Sequence, residues 1–97
     1  MADTHNHAFF ADLACPTQVT WSNDIQQMFT AMDVDHMKRV TGGQLDLSSY
    51  SSVKVYARSI YSAIARGHMP PPGSGEGPWQ QSQVNTFGCW IQQGCPE

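Results

Sequence analysis

The sequence predicts a small all-α domain, and three observations carry that reading. Apolar residues recur at three- and four-residue spacing in separate segments: Ile25, Met28, Phe29 and Met32; Val53, Ala57, Ile60 and Ile64; and Val84, Phe87 and Ile91. That is the period of helices with one inward face. Helix start and stop residues stand at the segment borders, with Ser22 before the first segment, Ser48-Ser49 before the second, and Gly67 and Gly94 closing the second and third. The length of 97 residues allows one domain with one core and no obligatory metal or disulfide.

In order along the chain, residues 1–19 read as an irregular leader and residues 20–97 as a single helical domain. The leader's His, Phe and Cys content is unlike a flexible Gly/Ser tail, so Phe9, Phe10 and Leu13 are expected to dock on the body or on a partner. A first helix is expected after Ser22, with Asp24 favourable in its first turn, ending near Ala31 or Met32. A short second helical turn over Asp33 to Arg39 is broken by Thr41-Gly42-Gly43. Leu45 and Leu47 flank Asp46 in an extended piece, and Ser48-Ser49 caps the next helix.

That next helix carries the strongest periodic signal. Tyr56 and Ala63 widen its apolar stripe, Lys54, Arg58 and Arg66 fall towards the other face, and Gly67 ends it. The run from Pro70 to Pro78, with Gly73, Gly75 and Gly77 inside it, excludes regular structure. A last helix is expected from about Gln81 to Gln93.

Composition narrows the function classes. Charged residues make up 13% of the chain, about half the ~25% of ordinary soluble domains, so part of the surface is expected to be covered. The formal net charge is −3, and only Lys38, Arg39, Lys54, Arg58 and Arg66 are basic, which disfavours a nucleic-acid partner. No apolar stretch approaches the roughly 20 residues of a membrane span. The first residues lack Lys and Arg, and the apolar run Ala8-Phe9-Phe10-Ala11 ends at Asp12, unlike a secretory signal. A cytoplasmic chain is therefore expected, an expectation that a signal peptide already removed would redirect. Cys15, Cys89 and Cys95 are odd in number, and reduced thiols are expected.

Residues 32–36 read Met32-Asp33-Val34-Asp35-His36, preceded by Asn23-Asp24-Ile25-Gln26-Gln27-Met28-Phe29. They are followed by Leu45-Asp46-Leu47-Ser48, the amphipathic stretch, His68-Met69-Pro70-Pro71-Pro72, and Phe87-Gly88-Cys89-Trp90-Ile91-Gln92-Gln93-Gly94. In that order the motifs resemble class I cytochrome c domains of bacterial multidomain cytochromes, and small relatives that lack the haem cysteines. The resemblance covers residues 19–96, and Met32 to His36 stand where that family has Cys-x-x-Cys-His.

The resemblance implies crossing N- and C-terminal helices, with Phe29 meeting Phe87, Trp90 or Ile91, and Gly88 permitting close approach. It puts His36 at the proximal and Met69 at the distal haem-ligand position. Met32 and Asp35 cannot add to a vinyl group, so covalent haem is excluded and no cofactor is expected. Met28, Met32, Met37, Tyr56, Tyr61 and Trp79 are available to fill the vacated space. The alternative is non-covalent haem or copper at His36 and Met69, with Met28, Met32, Met37 and His68 as further soft ligands for Cu(I).

Other chemistry has less support. There is no Gly-rich phosphate loop, no His-Glu-x-x-His and no Cys-x-x-Cys. Asp33-Val34-Asp35 resembles the start of a calcium loop but lacks the Gly and distal Glu, so both carboxylates are expected in solvent. With no catalytic set assigned, the chain is not expected to be an enzyme on its own. The resemblance implies a haem-less binding or accessory module acting on a larger partner enzyme, or self-associating. Its candidate contacts are Phe9, Phe10, Met69 and Trp79. The alternative is an electron-transfer or metal-handling protein built on His36 and Met69.

Overall fold

Thr20 opens the helical part of the molecule. Its hydroxyl oxygen accepts the Asn23 amide at 3.2 Å, and Asp24 Oδ2 accepts the Thr20 amide at 3.0 Å. Two otherwise unpaired amides are thereby satisfied. A computed structural model, which describes residues 14–70 and 77–97, shows a π-helical turn here, Trp21–Ile25, running directly into a 3-10 turn, Gln26–Met28. The segment starts ahead of the expected Ser22 cap because Thr20, not Ser22, makes the capping bond.

It also stops early. Phe29 is extended (φ −95°, ψ 127°), and Thr30 and Asp33 build a capping box in which each side chain accepts the other's amide at 3.1 Å. That box begins α1, Ala31–Val40, longer than the short turn expected there. Met32, expected to face inward on the first helix, instead lies on α1 and is 51% exposed.

Thr41 and the left-handed Gly42 (φ 64°) and Gly43 (φ 87°) end α1 where the sequence indicated. Leu45 and Leu47 are then buried on either side of Asp46. Ser49 caps α2, Tyr50–Val55, by accepting the Ser52 amide. A kink at Tyr56 (φ −100°, ψ 15°) separates α2 from α3, Ala57–Ala65. The stripe Val53, Ala57, Ile60 and Ile64 is buried as the spacing predicts, while Tyr56 is exposed and Tyr61 takes an inward place. α4, Gln81–Gln92, buries Val84, Phe87, Gly88, Cys89 and Trp90. The described residues are all-α, with no strand among them.

α4 packs against α3 and against the Trp21–Ile25 turn. The rings of α4 also meet aromatic residues of the Trp21–Ile25 turn, Phe29 and α2. Trp90 lies 6.1 Å from Trp21 and 6.3 Å from Tyr50; Phe87 lies 5.5 Å from Trp90 and 6.1 Å from Phe29. Trp90 and Phe87 are fully buried, together with Ile25, Leu47, Ile60 and Val53. Each such side chain contributes roughly 1.5 to 3 kcal/mol or more through burial.

The C-terminal residues close the other end. The Pro96 carbonyl accepts both the Trp21 amide (2.9 Å) and the Trp90 indole N–H (2.8 Å), and the Tyr50 hydroxyl donates to the Cys95 carbonyl (2.6 Å). The opening amides of the first turn therefore find partners at the far end of the sequence.

A disulfide joins Cys15 to Cys89, with Cα atoms 5.6 Å apart, which corrects the expectation of three reduced thiols. The partners are 74 positions apart, so no local spacing announces the pair. The length of chain around Cys15 is fastened further: the Val19 amide donates to Gln93 Oε1 (2.8 Å) and Gln93 Nε2 donates to the Thr17 carbonyl (3.0 Å). Cys95 is the free thiol, and it is buried. Phe9 and Phe10, and all of the Pro-Gly loop from residue 71 to 76, lie outside the described residues.

Candidate functional site

The capping box at the start of α1 has a consequence for charge. Asp33, at its third position, turns inward and is only 3% exposed, which corrects the expectation of a solvated carboxylate. Its Oδ2 accepts the Thr30 amide, and its Oδ1 has no hydrogen-bond partner among the described residues. Asp35 points to solvent and pairs with Arg39 at 3.0 Å, and Lys38 reaches Asp46 at 3.8 Å. The two cations nearest in sequence are thus engaged elsewhere.

Asp33 lines an open cavity of about 340 Å³ together with Met28, Thr30, Pro70, Gly77, Pro78, Trp79 and Gln83. Trp79 is half-buried and packs on Phe29 (ring centroids 5.6 Å) and Phe87 (6.2 Å). It is both the outer edge of the aromatic core and a wall of the cavity. A second cavity of about 480 Å³ is lined by Gln26, Phe29, Val34, Lys38 and Leu47, among others.

The expected ligand pair sits differently. His36 is half-buried on α1, whereas Met69 is buried in the main core after α3 and precedes a cis peptide bond to Pro70. Neither residue lines either cavity. Among the soft-ligand candidates, Met28 and Met37 pack against the core, while Met32 and His68 face solvent. No group of three or more His, Cys, Asp or Glu among the described residues could hold a metal ion. As a contact residue Met69 is hidden, and Trp79 is engaged by two core rings.

The perturbed titrating groups lie away from the Asp33 cavity. Burial pushes the Cys95 thiol up, against the pull of Lys54 and Arg58, and burial likewise raises the Tyr61 hydroxyl. A raised thiol is mostly protonated at neutral pH and is a poor nucleophile. Hydrogen bonds from the Ser48 hydroxyl and amide, with Lys38 assisting, lower Asp46.

The chain is similar to a cyclopenase, penL, of Penicillium thymicola, with 32% identity over 91 residues. The match takes in 84% of this chain and only 12% of that protein, so the chain spans about an eighth of the length of the relative it matches. No family model and no solved structure matches. The described residues include no helix long and apolar enough to cross a membrane.

Of the site features, Asp33 is the one that the spacing of charges alone misplaces. The signal available is local: Thr30-x-x-Asp33 is a capping-box pattern, and the third residue of such a box folds back onto its own helix start. The extended backbone at Phe29 then sets which way that helix start faces, and no periodic pattern in the sequence marks the break.

Proposed function

We propose that this domain is a haem-less, cytochrome c-like binding or accessory module that works on, or as part of, a larger enzyme and does not itself carry the chemistry. The observation that carries the reading is the match to the cyclopenase, in which a segment like this one makes up 12% of a much longer chain. A self-contained aromatic core with Cys15 tied to α4 suits a unit that keeps its shape beside other structure.

The surface supports the reading as well. α1 buries only Asp33 fully, and Met32 (51%) and Val40 (60%) stand exposed on it, as does Val55 at the end of α2. With Phe9 and Phe10, these are the candidate contacts to a larger protein or to a second copy. The Cys15–Cys89 disulfide favours an oxidising compartment over the cytoplasm, because thiols in the cytosol are held reduced.

Charge substitution tests the surface. Phe10→Glu and Met32→Glu should leave the helical circular dichroism and melting temperature nearly unchanged while abolishing association with the larger enzyme or with a second copy, read by sedimentation velocity. Unchanged association in both variants would place the contact elsewhere.

A further inference from the structure

Asp33 Oδ1 is a buried carboxylate oxygen with no hydrogen-bond partner among the described residues, and Asp33 forms part of the wall of the 340 Å³ cavity. Buried polar atoms are nearly always partnered, and a carboxylate oxygen calls for a donor. Among the described residues no basic side chain lines that cavity, and Lys38 and Arg39 are paired with Asp46 and Asp35. Trp79, Met28 and Pro70 line the same cavity as Asp33.

From this juxtaposition we propose that the cavity binds a cation bearing N–H donors, an ammonium or guanidinium on a short apolar stem, with Asp33 Oδ1 as acceptor and Trp79 as the aromatic face. A carboxylate beside an indole suits such a cation doubly, through a charge-assisted hydrogen bond and through the ring's negative face. The cation's source is either a free alkylamine or the Lys or Arg side chain of a polypeptide. The site does not depend on the accessory role proposed above, since a free cation would occupy it with no larger enzyme present.

Titration of the whole chain followed by two-dimensional NMR decides the matter. n-Butylguanidinium and n-butylammonium are the probes, and n-butylurea is the neutral mimic of the first. At least one cation should shift the Trp79 indole N–H and the Asp33 and Val34 amides saturably, and the urea should not. Asp33→Asn keeps an oxygen for the Thr30 cap but removes the charge, and should weaken cation binding by about tenfold or more.

Trp79→Leu should weaken it independently, so that misfolding of one variant leaves the other to decide. Tighter binding of an acetylated, amidated Gly-Arg-Gly or Gly-Lys-Gly peptide than of the matching butyl cation identifies a polypeptide side chain as the source; the reverse identifies a free amine. Absence of saturable shifts with both cations, equal binding of the urea, or unchanged binding in Asp33→Asn would overturn the proposal.

Discussion

Phe29 meets Phe87 edge to face, with ring centroids 6.1 Å apart and ring planes at 80°. The pair joins the end of the first helical segment to the middle of α4, and Trp79 closes the triangle against both rings. Phe29→Ala and Phe87→Ala should each cost about 3 to 5 kcal/mol in urea unfolding, the range for large aromatic truncations. A double-mutant cycle should return a coupling of about 0.5 to 1.5 kcal/mol. The coupling between Phe29 and Trp90 should be smaller, because Phe87 stands against Trp90 at 5.5 Å and against Phe29. Equal couplings would mean that the rings are not arranged in this order.

The disulfide predicts a thiol count. Unfolded in denaturant without reductant, the chain should expose one reactive thiol, Cys95, and three after reduction. Cys15→Ser should lower stability by about 4 to 5 kcal/mol on the chain-entropy estimate for a closed loop of this size. Three thiols without reduction would remove the covalent tie between residues 14–20 and α4.

Stability should fall at alkaline pH and again at acid pH. Cys95 and Tyr61 lose their protons less readily in the folded chain than at their ordinary values of 9.0 and 10.0, so their contribution is complete below those values. As pH rises past them the unfolded chain gives up protons that the folded chain keeps, and stability declines. Asp46 is lowered from 3.8, so its contribution is present above that value and is lost as pH falls through its lower folded value. Melting temperatures from pH 2 to 11 check this. Cys95→Ala and Tyr61→Phe should each flatten the alkaline limb; if neither does, burial of these groups does not govern it.

Haemin binding is expected to be weak, since Met32 and Asp35 offer no thiol to anchor a vinyl group. One equivalent of haemin should give no sharp Soret band of His/Met type. Such a band, lost in His36→Ala, would favour the electron-transfer reading, and copper titration at the same residues would come next.

The inward face is legible in the sequence even where the kink at Tyr56 divides the single expected helix into α2 and α3. Val53, Ala57, Ile60 and Ile64 face inward as spaced, Gly67 and Gly94 are left-handed at φ 79° and 91°, and Ser49 caps. The first segment misleads because Ile25, Met28, Phe29 and Met32 keep helical spacing across a break made by Thr30 and Asp33, where local capping overrides periodicity. Tyr56 falls on the stripe but sits at the kink between α2 and α3. The Cys15–Cys89 bond and the hold of Pro96 on Trp21 join distant positions, and such pairings depend on the packed fold, not on nearby residues. Asp33 is visible in the sequence as an acidic residue; its burial and unpartnered oxygen are not.

The most direct test of the accessory role uses the Penicillium thymicola cyclopenase, in which the matching segment is 12% of the chain. Its cyclopenase turnover should be measured intact, with that segment deleted, and with this chain grafted in the segment's place. Deletion should sharply reduce soluble, active enzyme, and the graft should restore a substantial part of it. Full activity after deletion would contradict an accessory role.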